Sequence, residues 1–241
     1  MPNMHSGHRQ RLKDRFFQEG LDHFPPHNAL ELLLFLSIPR DDTNPIAHRL
    51  LQRFGSISNV FEAPREELLK VEGVGPQTAF MISLIAHMTR YYLTDKYSVG
   101  TILDTPEKIG EFLKAMFIGK NNEHVYLLCL DKKSKLLHCE LLMEGTLDSA
   151  QVTIRRIVET VMRVSASSVV LAHNHTQGFA VPSKADVQTT VAVKKALALL
   201  SIELLDHIIV ARDDYVSLAQ SGALVEFYNR LRRRGARGHF R

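Results

Sequence analysis

The uncharged run Ser168-Val-Val-Leu-Ala172 passes straight into His173-Asn-His175, and it constrains the fold more than any other stretch of the chain. A short apolar run of this kind reads as a buried strand. Side chains two apart on a strand share a face, so His173 and His175 converge where the strand emerges. Asp186 follows eleven residues after the second histidine, and Ser183 stands three residues before it. Two histidines and one aspartate are the ligand set of a catalytic zinc, whose fourth position is left for water. A structural site would close that position with a fourth side chain. The expected cofactor is therefore Zn2+, held by His173, His175 and Asp186. Ser183-x-x-Asp186 after Pro182 also reads as a helix N-cap with an acidic residue at its third position. Both readings can hold, because a capped helix start would fix Asp186 above the strand end.

Composition excludes several classes. No run of eighteen uncharged apolar residues exists, and no basic-then-apolar segment opens the chain, so a cytoplasmic protein without a membrane partner is expected. The two cysteines, Cys129 and Cys139, lack C-x-x-C spacing and read as buried thiols. A zinc deaminase would need His-x-Glu and Pro-Cys-x-x-Cys, which are absent. The pI near 9.1 at first suggests a nucleic-acid binder. Yet residues 230–241 hold six arginines and no acid, so taking that +6 from the total of +4 leaves −2 for the remainder. The basic character is a tail, equally suited to weak phosphate binding or to solubility.

The pattern along the chain predicts four parts: a helical domain over 1–92, a linker over 93–104, an α+β or α/β metal domain over 105–228, and the basic tail over 229–241. In the first part Leu12, Phe16 and Phe17 suggest one apolar helix face, and Asn44-Pro45 suggests a helix start with Asn44 as cap. Val71-Glu-Gly-Val-Gly-Pro-Gln-Thr-Ala79 before an apolar helix is the helix-hairpin-helix pattern. Gly73 and Gly75 would permit its turn and let backbone amides approach a DNA phosphate, with Lys70 the nearest cation. Residues 1–95 carry ten Lys/Arg against eleven Asp/Glu, so no basic footprint accompanies it. A hairpin that only packs helices fits the same residues. In the second part strands are expected over 125–130, 136–143, 168–172, 204–210 and 215–216, with helices over 106–117, 153–164 and 184–200.

His173-x-His175, seven residues, Ser183, two residues, Asp186 resembles the JAMM (MPN+) metalloprotease motif without gaps. The flanks resemble the bacterial RadC family more narrowly: Gly145-Thr-Leu147, Leu171-Ala-His-Asn-His175, Leu204-Leu-Asp-His-Ile-Ile209, Gly7-His-Arg9, Pro39-Arg-Asp-Asp-Thr-Asn-Pro45 and Arg53-Phe-Gly55. Thr176 and Gln177 depart from the Pro-Ser usual there. The resemblance implies a helix-hairpin-helix domain followed by a JAMM/MPN-type, cytidine-deaminase-like mixed sheet flanked by helices. It implies a zinc-dependent hydrolase of amide or isopeptide bonds in a protein or peptide substrate. Its general base would be a Glu upstream at a strand start: Glu123 matches best, with Glu140 and Glu144 as rivals. Ser183 would donate to the oxyanion. The family name and the hairpin also imply an alternative, a DNA-associated repair or recombination factor with a non-catalytic metal centre. A nuclease would call for a second metal and further carboxylates. Asp206 and His207 suggest a pair of which one could orient a ligand, and Arg155 a solvated helix charge.

Overall fold

The computed structural model describes residues 4–97, 99–145, 154–176, 178–212, 214–223 and 225. The basic tail and Gln177 lie outside them. The chain divides into two compact units at Thr89/Arg90. The first contains α1 (Met4–Glu19), α2 (Pro26–Leu34), α3 (Asn44–Phe54), α4 (Ile57–Glu62), α5 (Arg65–Leu68) and the start of α6 (Pro76–Lys96). Its core joins Leu34 of α2, Leu50 of α3, Val60 of α4, Leu68 of α5 and Ile82 of α6. Helix α3 starts one residue earlier than the Asn44 cap reading: Thr43 is the cap, and its side chain makes no capping bond. On α1 only Leu12 of the expected face is buried, and Phe17 is exposed. Residues 93–96, read from the pattern as linker, are the last turn of α6.

The second unit adds α7 (Pro106–Phe117), β1 (His124–Leu130), β2 (Leu136–Glu144), α8 (Ile154–Arg163), β3 (Ser168–Asn174), α9 (Lys184–Ala198), β4 (Glu203–Ala211) and β5 (Asp214–Ser217). Thr105 caps α7 by accepting from the Lys108 amide, with Pro106 in the first turn, where its missing N–H costs nothing. The five strands form one sheet in the order β2-β1-β3-β4-β5. All pairs are antiparallel except β3 with β4, whose connection is α9. The central strand β3 is buried along its whole length. Val170 and Ala172 face a core completed by Phe112 and Leu113 of α7. Val169 and Leu171 face the other core, completed by Ile157 and Val161 of α8 and Leu197 of α9. Helices thus cover both faces, and β3 emerges between them.

Cys129 belongs to the α8/α9 core and Cys139 packs against the α7 core, so the sheet separates the two thiols. Burial pushes both up to about 12, which leaves them protonated and unreactive. Gly110 lets α7 approach β5: a Cβ there would lie 2.4 Å from the Tyr215 ring. Gly110→Ala is therefore expected to destabilise the unit by about 1–3 kcal/mol through overpacking, despite alanine's better helix propensity. Urea unfolding of the two proteins checks this, and an unchanged midpoint would contradict it.

Candidate metal centre

Period-two alternation sets the site on one face. Val169, Leu171 and His173 point toward α8 and α9, and His175 lies two residues further, just past the strand end. Ser183 caps α9 with a complete capping box: its Oγ accepts from the Asp186 amide at 3.1 Å, and Asp186 Oδ2 accepts from the Ser183 amide at 2.7 Å. The cap reading of this segment holds, and the cap places the Asp186 carboxylate beside the two imidazoles. The box turns the other carboxylate oxygen inward, so Asp186 Oδ1 lies 3.3 Å from His173 Nε2. His173 Nε2 lies 3.0 Å from His175 Nε2, which is 3.8 Å from Asp186 Oδ2. Among the described residues, these three form the one cluster of at least three His, Cys, Asp or Glu donors close enough to share an ion.

The arrangement fits a small cation. Two donors about 2.0–2.1 Å from a tetrahedral zinc stand roughly 3.3–3.4 Å apart, close to the 3.3 Å between His173 Nε2 and Asp186 Oδ1 and somewhat wider than the 3.0 Å between the two imidazole nitrogens. His175 Nδ1 lies 3.3 Å from the Phe179 carbonyl, which can only accept. The ring therefore carries its proton on Nδ1, and Nε2 presents a lone pair to the cluster. His173 and Asp186 are almost wholly buried, whereas His175 keeps access to solvent. Burial drives the His173 imidazole down to about 4, opposed by Asp186 and reinforced by His175. A ring that stays neutral at ordinary pH is the form that binds metal.

His207 joins the site, a role that the sequence left unassigned between it and Asp206. Its Nε2 lies 2.8 Å from His173 Nδ1, and its Nδ1 lies 2.6 Å from Thr190 Oγ1 of α9. Burial holds this ring well below its ordinary pKa, with His173 and His175 adding to the fall. Strict alternation from Leu204, which faces α8 and α9, would have placed Asp206 here. A bulge intervenes: Val169 pairs with Leu204 and Val170 with Asp206, so Leu205 is the extra residue. The alternation slips by one and His207 takes the face of His173. Asp206 instead accepts from Ser217 Oγ at 2.5 Å and from the Ala219 amide at 3.0 Å.

The three glutamates diverge. Glu123 immediately precedes β1, and its carbonyl accepts from the Gly145 amide at 2.9 Å. The β1–β3 ladder ends at the pair Val125–His173, beyond which the His124 amide donates to Asn174 Oδ1 at 2.7 Å, and Glu123 lies one residue further along the chain. Glu140 is tied to His138, Arg156 and Arg163 at 2.8–2.9 Å. His138 first, then Arg156 and Arg163, hold its carboxyl down to about 2. Glu144 pairs with His124, on the face opposite His173. Arg155 is exposed and pairs with Glu159.

In the helical unit, Gly73 has φ +89, and a Cβ there would lie 2.8 Å from Ile46 of α3. Gly75 has no left-handed φ and no neighbour within 4 Å, so the turn depends on Gly73 alone. Arg49 donates to the Glu72 carbonyl at 3.0 Å, fastening the turn to α3. Lys70 pairs with Glu67 at 2.5 Å.

The family profile described as RadC-like JAB domain matches residues 103–223. A UPF0758 protein of Fusobacterium nucleatum is 31% identical over 225 residues, covering 90% of this chain and 97% of that protein. No helix among the described residues is long and apolar enough to cross a membrane. The profile match takes in every strand and the whole His-His-Asp cluster, and the relative extends the likeness across the helical unit. The chain belongs to the RadC family.

Proposed function

We propose that the protein is a zinc-dependent hydrolase of amide or isopeptide bonds. The observation that carries this reading is the convergence of His173, His175 and Asp186 on one point beside solvent, with three protein donors and no fourth among the described residues. A zinc ion held there supplies a Lewis acid and a water of lowered pKa. Glu123 takes the proton of the attacking water on its carboxylate and returns it to the leaving amine nitrogen. Ser183 Oγ already accepts from the Asp186 amide, which leaves its own hydrogen to donate to the developing oxyanion. His173 and Asp186 are walled in, and the solvent-facing side of His175 is where a peptide would enter.

The test is a screen of the zinc-loaded full chain against linear peptides, lysine-isopeptide-linked peptides and duplex DNA. Chelator-sensitive release of a new amine supports the proposal. Phosphodiester cleavage, or no turnover of any amide by a fully loaded protein, overturns it. The alternative DNA-associated role rests on the turn at Gly73. It gains little from Lys70, whose ammonium is shared with Glu67. Salt-dependent duplex binding that survives deletion of residues 230–241 and is lost in Gly73→Ala would favour it.

A further inference from the structure

A run of hydrogen bonds leads from His173 away from the metal position and ends at the backbone of another ligand. His173 Nδ1 meets His207 Nε2 at 2.8 Å, His207 Nδ1 meets Thr190 Oγ1 at 2.6 Å, and Thr190 Oγ1 meets the Asp186 carbonyl at 2.6 Å. The far end fixes every direction in it. A carbonyl can only accept, so the Thr190 hydroxyl spends its one hydrogen on Asp186. Toward His207 that oxygen can then only accept, so His207 carries its hydrogen on Nδ1. In the neutral ring Nε2 is consequently bare, and it accepts from His173 Nδ1–H. His173 is left with an unprotonated Nε2, the atom that lies 3.0 Å from His175 Nε2 and 3.3 Å from Asp186 Oδ1.

We propose that Thr190 and His207 are positioning residues that set the tautomer of His173, so that its Nε2 is bare and aimed at the metal before any metal arrives. The inference rests on the metal-centre reading and deepens it. Thr190 and His207 are both buried, so water does not compete for these bonds. The three elements involved are those that must be held together: β3 bears His173, β4 bears His207, and α9 bears both Thr190 and Asp186. The bulge at Leu205 is what brings His207 into line. With the tautomers of His173 and His175 both set, two lone pairs and a carboxylate oxygen face one another, an arrangement that a cation satisfies.

The test compares wild type with Thr190→Val, which keeps shape and removes the hydroxyl, and Thr190→Ser, which restores it. Two quantities are read on the full chain: zinc affinity by competition with a chromophoric chelator, and the His173 tautomer in metal-free protein from its ring 15N shifts. Thr190→Val is expected to weaken zinc binding about 10-fold or more and to mix the His173 tautomers, with Thr190→Ser within about 2-fold of wild type. A melting curve for each variant separates loss of fold from loss of orientation. A single Nδ1–H tautomer in Thr190→Val with unchanged zinc affinity would overturn the proposal. If wild type binds no zinc, the hydrolase reading fails by itself, and the tautomer measurement still decides the role of Thr190.

Discussion

Asp186→Asn is expected to abolish high-affinity zinc binding while leaving the start of α9 intact. The amide oxygen of asparagine can still accept from the Ser183 amide, the bond that Oδ2 makes at 2.7 Å. Its nitrogen would instead face His173 Nε2 and offer a hydrogen where the cation needs a lone pair. Loss of an outer partner of a metal ligand already costs 10–100-fold in affinity, so loss of the ligand itself should cost more than ~100-fold. Stability should move the other way. The carboxylate is 3% exposed, and without a cation its charge is a burden on the fold. Metal-free Asp186→Asn is thus expected to melt no lower than metal-free wild type, whereas Asp186→Ala also loses the carboxylate half of the capping box, its bond to the Ser183 amide, at a cost of about 1 kcal/mol. Zinc titration with thermal melts of both variants checks the pair of outcomes. Retained zinc affinity in Asp186→Asn would remove the aspartate from the ligand set.

Glu123→Gln should give the opposite phenotype: zinc bound as in wild type, with hydrolysis of a responsive amide reduced about 10²–10⁴-fold. Glutamine keeps the size and polarity of the side chain but cannot take the proton of water. Glu140 serves as the internal control. Its carboxylate is held by Arg156 and Arg163 of α8, so Glu140→Gln should loosen α8 against β2 without a comparable loss of turnover in the folded protein. Rates near wild type for Glu123→Gln, together with loss of turnover in Glu144→Gln, would move the base to the other face of the sheet.

The convergence of His173, His175 and Asp186 was legible because each of its parts is a local rule. The apolar run before His173 dictates a strand, alternation puts His175 on the same face, and Ser183-x-x-Asp186 dictates a capped helix start. The family resemblance followed from the same residues and agrees with the profile over 103–223. Glu123 could be ranked above its rivals only by its place ahead of β1, whereas the ion pairs that hold Glu140 to α8 exist only once β2 and α8 have docked. His207 stayed undecided because a bulge is not written in alternation: one extra residue, Leu205, exchanges which of two neighbours faces the site. In the helical unit the pattern gave helices but not their packing. Phe17 has the spacing of a core residue on α1 yet is exposed, and the Gly73 turn reaches Ile46, 27 residues earlier in sequence, only by folding back.

The most direct test is the zinc content of the purified protein by elemental analysis, beside His173→Ala and Asp186→Asn. The metal centre built from two imidazoles and one carboxylate predicts about one zinc per chain in wild type and none retained by the folded variants. Wild-type protein that takes up no zinc even after reconstitution, or variants that keep it, would contradict the assignment on which the proposed chemistry stands.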